Sequence, residues 1–150
     1  MKIYLGADHA GFELKEKIKS FFLGKGFEIG DCGAFEFDKN DDYPDFVLKV
    51  SIKVSQDLSS FGIVFGKSGA GECMAANKIK GIRAMLGFSK ENVELSRLHN
   101  DANVLSLGSM FVNEKLAEEL VITFIETKFT NEERHIRRIN KIRELENNQT

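Results

Sequence analysis

The most constraining stretch of this sequence is Phe61–Lys78, in which an apolar run meets a glycine-rich segment. The run Phe61–Phe65 is short and ends at a glycine, which predicts a buried β-strand. Three glycines fall within the six residues Gly66–Gly71, which predicts a loop, and Glu72–Lys78 follows as a predicted helix. A strand, a glycine loop and a helix N-terminus together aim backbone N–H groups at an anion. We therefore expect an anion site here, for a phosphate or for a developing oxyanion.

Glu72 helps to distinguish between these two anions. It stands in the first turn of the predicted helix, where a carboxylate suits the helix dipole but would repel a bound phosphate. A carboxylate beside N–H donors is suited to removing a proton next to a carbonyl, because the donors stabilise the enediolate oxygen. The alternative is an exposed glutamate that only stabilises its helix. The helix dipole lowers the pKa of such a carboxyl group and burial raises it, so the sequence leaves its direction open.

Composition bounds the remaining function classes. The 150 residues carry a net charge of −2 and no apolar run of transmembrane length, which gives no general case for nucleic acid or a membrane as partner. We expect a single domain over residues 1–150. The start of the chain does not resemble a signal peptide, and Cys32 and Cys73 have no metal-site spacing. We therefore expect a cytoplasmic protein with reduced thiols and no metal.

Strands and helices alternate along the whole chain. The predicted strands are Lys2–Gly6, Phe27–Asp31, Phe61–Phe65, Ile82–Gly87 and Asn103–Leu107, and the predicted helices are Phe12–Lys25, Tyr43 to about Leu58, Glu72–Lys78, Lys90–Leu98, Asn113–Glu126 and Asn131–Glu146. This alternation predicts an α/β fold, with a mostly parallel sheet between two layers of helices. Ligands bind such folds at the carboxyl ends of the strands, which places Asp8, His9 and Glu72 on one edge.

Three further groups of polar residues each have a functional and a structural interpretation. Asp8 and His9 follow the first strand, where they either titrate, orient a sugar hydroxyl or bind phosphate, or else form an ordinary turn with a solvated histidine. His99 ends a predicted helix, where it either transfers protons or only favours the helix dipole. Arg134 and Arg138 are four residues apart and share a helix face, which suits either bidentate phosphate recognition or a solvated basic surface.

Together these segments resemble the type B ribose-5-phosphate isomerases, a family that also includes galactose-6-phosphate isomerase subunits. The resemblance covers nearly the whole chain and rests on the joint order and spacing of Gly6–Phe12, Asp42–Asp45, Gly66–Gly71 with Ala75–Lys78, Gly81–Ala84, Arg97–Val104 and Arg134–Arg138. It implies a Rossmann-like αβα sandwich around a five-stranded parallel sheet, and an aldose–ketose isomerase without metal or cofactor. It also implies a homodimer or homotetramer whose sites combine both chains, with the helix at 131–146 packed at the interface.

The resemblance identifies a carboxylate as the base. Many members place a cysteine base at the end of the third strand, where this chain has Gly66. Another branch carries a glutamate in the next helix within a Gly-Ser-Gly-x-Gly-Glu context, which Ser68–Glu72 matches. With Glu72 as its base, the enzyme would then interconvert ribose 5-phosphate and ribulose 5-phosphate through a cis-enediolate, as a step of the pentose phosphate pathway.

The resemblance also implies roles for the other site residues. Asp8 and His99 would assist ring opening, and Ser68 would move a proton between the substrate oxygens. Tyr43 would line the sugar site. The enediolate donors would be the backbone N–H groups of Lys67, Ser68, Gly69, Ala70 and Gly71 with the side chain of Asn100, and the phosphate ligands would be His9, Arg134 and Arg138.

Met110 departs from the family pattern, because an arginine that contacts phosphate usually stands at this position. Losing one guanidinium weakens phosphate binding by about 1.5–3 kcal/mol unless another cation replaces it, and Lys67 is a candidate replacement. The departure leaves other substrates open: galactose 6-phosphate, allose 6-phosphate or a tetrose phosphate. A non-catalytic sugar-phosphate binding subunit is a further alternative, since Gly66 removes the usual cysteine.

Overall fold

A computed structural model describes residues 1–149. The strands are β1 Lys2–Ala7, β2 Glu28–Asp31, β3 Phe61–Gly66, β4 Ala84–Gly87 and β5 Val104–Gly108, and the helices are α1 Phe12–Gly24, α2 Tyr43–Gln56, α3 Ala70–Ala76, α4 Lys90–Asn100, α5 Glu114–Glu126 and α6 Glu133–Asn148. All five strands are parallel and form one sheet in the order β2-β1-β3-β5-β4. Helices cover both faces, so the predicted αβα fold is confirmed.

The central strand β3 explains why the sheet is buried on both faces. Ile63 and Phe65 pack into a hydrophobic cluster with α1 and α5, whereas Val64 packs on the other face against α2. All three side chains are fully buried. Burying an apolar side chain of this size contributes about 1.5–3 kcal/mol to folding, so a continuous apolar run is favoured where both faces are covered.

The strand order locates the edge at which a ligand is expected. Strand β2 lies on one side of β1, whereas β3, β5 and β4 all lie on the other side. In open α/β sheets a crevice forms at the carboxyl ends of the two strands where the order reverses. Ala7 pairs with Phe65 in the β1–β3 register, so the residues that follow these two strands lie next to each other. These residues include Asp8 and the glycine loop.

Most predicted element boundaries differ from the structure by one or two residues, and two of these differences have a local cause. Helix α3 begins at Ala70 rather than Glu72, because Gly69 adopts the left-handed conformation (φ 78°) and already caps the helix. Strand β4 begins at Ala84 rather than Ile82, because the Arg83 N–H donates to the side-chain oxygen of Asn103 at 2.8 Å. Among residues 1–149, no helix combines the length and the apolar composition needed to cross a bilayer.

Helix α6 lies outside the three layers, beside α4. Its residue Ile139 is buried, whereas Ile142 and Leu145 on the same helix are exposed. The Glu146 carboxylate accepts the N–H of Gly81 at 3.2 Å, which ties the end of α6 to the segment before β4. The helix therefore runs near the amino edge of the sheet and presents apolar side chains outward.

Candidate active site

The carboxylate of Glu72 lies directly over the end of β3. Glu72 is 4% exposed, and a Cβ atom built on Gly66 would approach its Oε1 atom to 1.7 Å. A side chain at position 66 and this position of the carboxylate therefore exclude each other. Burial raises the pKa of Glu72, and the negative charge of Asp8 acts in the same direction. Burial thus outweighs the helix end, and the raised pKa moves Glu72 toward the range of an effective general base.

The glycine loop is held from the side of β5. The Ser106 hydroxyl donates to the Gly69 carbonyl at 2.7 Å, and the Ser109 N–H donates to the Gly66 carbonyl at 2.8 Å. The Met110 N–H donates to the Lys67 carbonyl at 3.0 Å. Because the C=O and N–H groups of a trans peptide point in opposite directions, the N–H groups that follow the Gly66 and Lys67 carbonyls point away from β5. The loop thereby presents backbone donors beside Glu72.

Asp8 shapes the turn after β1. It is buried, and its Oδ1 atom accepts the N–H groups of Ala10 at 3.0 Å and Gly11 at 3.1 Å. The Ser109 hydroxyl donates to the Ala10 carbonyl at 2.9 Å and so joins this turn to the segment after β5. Asp8 therefore forms the turn, and the same turn keeps its carboxylate close enough to raise the pKa of Glu72.

His9 is paired with an acidic residue that the sequence reasoning missed. The Asp41 Oδ1 atom lies 2.8 Å from the His9 backbone nitrogen and 2.7 Å from Nδ1 of its ring. This hydrogen bond raises the pKa of His9. Asp41 belongs to the loop before α2, which also contains Asp38 and Asp42. The sequence spacing gives no reason to choose Asp41 over these two residues. Only a contact across 32 positions of the chain identifies it.

Tyr43 and Lys67 lie at the same edge. Tyr43 is the first residue of α2, and its hydroxyl oxygen would be 2.9 Å from a Cβ atom built on Gly71. Lys67 is exposed, and its backbone carbonyl accepts the N–H of Met110. The Ala70 N–H donates to the Ser68 hydroxyl at 3.3 Å, which orients that hydroxyl at the start of α3. The structure thus brings together the predicted site residues Asp8, His9, Tyr43, Lys67, Ser68, Gly69, Ala70, Gly71 and Glu72.

His99 and Asn100 lie at the opposite edge of the sheet. The Asn100 carbonyl accepts the Arg83 Nε–H at 2.8 Å, and Arg83 stands immediately before β4. The backbone carbonyl of Asn103, three residues after Asn100, accepts the N–H of Gly62 at 3.0 Å, and Gly62 lies at the start of β3. Strand β3 spans about 17 Å at about 3.3 Å per residue, which is beyond the reach of a side chain. A single chain therefore does not bring His99 and Asn100 to Glu72.

The two arginines predicted to bind phosphate also lie away from His9. Both are exposed on α6, and the Arg134 Nε–H donates to Glu132 at 2.8 Å. Between them, the buried ring of His135 stacks on His99 with centroids 4.4 Å apart. Burial lowers the pKa of His135. Arg134, Arg138 and His99 thus form a second group of candidates beside α4, and one chain does not join this group to His9.

Comparison with known proteins shows the family of this chain. The sequence pattern of the family described as Ribose/Galactose Isomerase matches residues 3–142. The chain belongs to that family. A curated ribose-5-phosphate isomerase B from Mycolicibacterium paratuberculosis is 42% identical over 146 residues, which cover 97% of this chain and 92% of that protein. A probable ribose-5-phosphate isomerase B from Mycoplasma genitalium is 42% identical over 141 residues, which cover 93% and 92%.

Solved structures give the same result. The crystal structure of ribose-5-phosphate isomerase B from Mycoplasma genitalium with bound ribulose-5-phosphate matches with a TM-score of 0.94 and 40% identity, over 99% of this chain and 97% of that one. A ribose-5-phosphate isomerase B from Clostridium thermocellum matches with a TM-score of 0.92 and 41% identity, over 98% of both chains. The predicted enzyme class, an aldose–ketose isomerase of the ribose/galactose isomerase family, is confirmed.

Proposed function

We propose that this ribose/galactose isomerase family member interconverts ribose 5-phosphate and ribulose 5-phosphate through a cis-enediolate, with Glu72 as general base. The observation that carries the proposal is the buried Glu72 carboxylate over Gly66, next to the backbone donors of the glycine loop. The choice of sugar phosphate is supported by the names of the relatives and by the relative solved with bound ribulose-5-phosphate.

The proposed reaction begins with ring opening. Asp8 and His99 handle the protons on the ring oxygen and the anomeric hydroxyl. Glu72 then removes the proton from C2 of the open aldose, and the electron pair moves toward the C1 oxygen. Backbone N–H groups of the glycine loop stabilise the negative charge of the enediolate. Ser68 transfers a proton between the two substrate oxygens, and Glu72 returns its proton to C1, which gives the ketose and restores the enzyme.

A second copy of the chain would complete this site, as a homodimer or within a tetramer. The separation of His99 and Asn100 from Glu72 by the length of β3 supports this proposal. Exposed apolar side chains that a partner can cover occur next to the carboxyl edge and on α6: Phe88, Met110, Phe111, Ile142 and Leu145. In this arrangement α6 packs at the interface, and His9 of one copy meets Arg134 and Arg138 of the other around the phosphate.

Met110 supports a modified phosphate site rather than another reaction. Its backbone bonds to the Lys67 carbonyl at 3.0 Å, so a lysine stands next to the position that lacks the usual arginine. An ammonium replaces the charge of a guanidinium but not its bidentate geometry. We therefore propose that Lys67 contributes to phosphate binding. Equal or faster turnover of a six-carbon or four-carbon sugar phosphate, measured beside ribose 5-phosphate, would contradict the proposed substrate.

The decisive test is Glu72→Gln. The amide keeps the shape of the side chain but cannot accept the C2 proton, so we expect kcat to fall by about 10²–10⁴-fold. Exchange of the C2 proton with solvent should disappear, whereas calorimetric binding of ribose 5-phosphate should remain. Glu91→Gln is the matched control, because Glu91 is an exposed glutamate in the first turn of α4. Full activity of Glu72→Gln refutes the assignment of the base, and a wild-type protein that binds without turnover refutes the proposed activity.

A further inference from the structure

We propose that Asp41 is a positioning residue for His9, which it orients so that the outer ring nitrogen, Nε2, donates a hydrogen bond to the phosphate of the substrate. This inference rests on the proposed function, because it assigns His9 to the phosphate. Asp41 acts through His9 and has no contact with substrate in this proposal. It belongs to the loop between β2 and α2, whereas His9 follows β1.

The geometry fixes both the place and the orientation of the imidazole. One oxygen of Asp41, Oδ1, accepts the His9 backbone N–H at 2.8 Å and pairs with its Nδ1 at 2.7 Å. Since an ionised carboxylate only accepts hydrogen bonds, the proton of this pair belongs to Nδ1. A neutral imidazole with its proton on Nδ1 presents a lone pair at Nε2, which repels a phosphate oxygen. Only the imidazolium also carries a proton at Nε2, so the phosphate site requires the charged ring.

The charges around His9 favour this imidazolium. One polar atom from each of Asp8, His9 and Asp41 lies within 4.8 Å of the others, so two carboxylates flank one ring. The hydrogen bond from Asp41 is the largest cause that raises the pKa of His9, and Asp8 acts in the same direction. The cleft beside His9 is lined by further charged side chains of α1 and α5: Glu13, Glu16, Lys17, Glu114 and Glu118. Lys17 is engaged by Glu13 at 3.0 Å and by Glu114 at 3.2 Å, which leaves this cleft acidic.

Asp41 itself depends on His9. Its side chain is 10% exposed, and its second oxygen, Oδ2, is buried without a hydrogen-bond partner among residues 1–149. A charge in this environment is stable only when a nearby cation compensates it. His9 supplies that cation from a side chain that is still 35% exposed, so its ring faces the carboxylate on one side and can reach a ligand on the other. The edge of Phe37 packs against the ring, with centroids 6.3 Å apart.

The test is Asp41→Asn in the full-length protein. This change removes the charge and keeps an oxygen at the same place, so it should lower the pKa of His9. An NMR titration of the His9 ring without substrate measures that pKa. The KM for ribose 5-phosphate at neutral pH should rise about tenfold, because a hydrogen bond from a charged donor is lost, while kcat changes little. Asp38→Asn is the matched control: Asp38 lies in the same loop and is exposed, and among residues 1–149 its carboxylate accepts only the N–H of Asn40, at 2.9 Å.

Three results overturn the inference. Asp41→Asn leaves the pKa of His9 unchanged, or that pKa falls without a rise in KM, or Asp38→Asn has the same effect as Asp41→Asn. A measurement on the wild-type protein covers the case in which Asp41→Asn does not fold: nitrogen chemical shifts of the His9 ring should place the proton of the neutral imidazole on Nδ1, and a neutral ring protonated on Nε2 overturns the inference. Because the titration needs no substrate, it stands apart from the isomerase assay, whose failure would instead count against the proposed function.

Discussion

The carboxyl edge and the amino edge of the sheet hold opposite halves of the candidate site. At the carboxyl edge, acidic side chains are buried and fixed: Glu72 lies over Gly66, and Asp8 and Asp41 are bonded to backbone or to His9. At the amino edge, Arg134 and Arg138 are exposed. The first region is organised within one chain, whereas the second presents its cations to solvent.

This difference follows from the topology of a parallel sheet. Every strand-to-helix loop falls at the carboxyl edge, and every helix returns to the amino edge before the next strand begins. His99 ends α4 and therefore lies a full strand length from Glu72, although both follow strands along the sequence. One copy does not join the two groups of residues, which is why the proposed site combines the carboxyl edge of one copy with the amino edge of another.

Among changes outside the proposed catalytic side chains, the largest effect is expected from Gly66→Ala, which tests how tightly the carboxyl edge is organised. The new Cβ atom would approach Glu72 Oε1 to 1.7 Å, so the carboxylate must leave its position over β3. A displacement of about 1 Å in a catalytic group costs about 10²-fold in rate, and we expect kcat to fall by at least that factor. Steady-state kinetics and a substrate-free thermal unfolding scan separate this loss from unfolding.

Gly24→Ala provides the control for that change. Gly24 ends α1, and a Cβ atom there would meet nothing within 4 Å. Its kinetics should match those of the wild type. A folded Gly66→Ala protein with wild-type kcat would show that the close approach of Glu72 to this strand end is not needed for turnover.

The second prediction concerns the sharing of the two edges between copies. Glu72→Gln alters the carboxyl edge and His99→Asn alters the amino edge, so each homodimer should be nearly inactive. In a heterodimer isolated through two different tags, one of the two sites carries both changes and the other carries neither. The heterodimer should therefore regain about half of the wild-type activity.

Ser68→Ala distinguishes this recovery from a general effect of mixing. Ser68 and Glu72 lie at the same edge, so a heterodimer of Ser68→Ala and Glu72→Gln contains no unaltered site and should stay inactive. If the heterodimer of Glu72→Gln with His99→Asn also stays inactive, the two edges do not combine across copies, and the proposed interface is incorrect.

The smallest effect is expected on stability, and it tests whether burial governs Glu72. The pKa of Glu72 is raised in the folded chain, so the folded state binds more protons than the unfolded state between the two pKa values. Stability therefore falls as pH rises through the folded pKa, and the cost is fully present above it. Glu72→Gln removes the charge and should raise Tm at pH values above that pKa, by about 2–4 °C for each kcal/mol of burial cost that is removed.

The pH dependence of this Tm difference tests whether the pKa of Glu72 is raised rather than lowered. Below about pH 4, both the folded and the unfolded Glu72 are protonated, so the advantage of Glu72→Gln should disappear. Glu91→Gln should show no gain at any pH, because Glu91 is exposed at a helix N-terminus. A Tm difference that is absent at alkaline pH, or that grows as pH falls, would contradict the role of burial.

Much of the fold was predictable because its signals are local. Apolar runs such as Phe61–Phe65, interrupted by glycines and followed by amphipathic segments, indicated each strand and helix in order. The boundaries failed where a side chain competes with the backbone, as when Asn103 takes the N–H of Arg83 and delays β4. The edge that carries Asp8 and Glu72 was predictable too, since the ends of parallel strands meet there.

Asp41 was not predictable, because its importance depends on a pairing between two loops that are distant in the sequence. The loop that carries it contains several similar acidic residues, and local spacing does not show which of them reaches His9. The direction of the Glu72 pKa shift was equally undetermined, since the helix end and burial act against each other and only packing decides their balance.

The sequence by itself determined the order of the elements, the parallel sheet and the position of the glycine loop, because these depend on hydrophobic periodicity and backbone freedom within a few residues. Tertiary structure alone decided that Glu72 is buried over Gly66, that Asp41 holds His9, and that His99 lies at the far edge of the sheet. The physical reason is that burial and electrostatic pairing are set by what packs together in space, and residues that follow neighbouring strands in the chain can end on opposite edges of the same sheet.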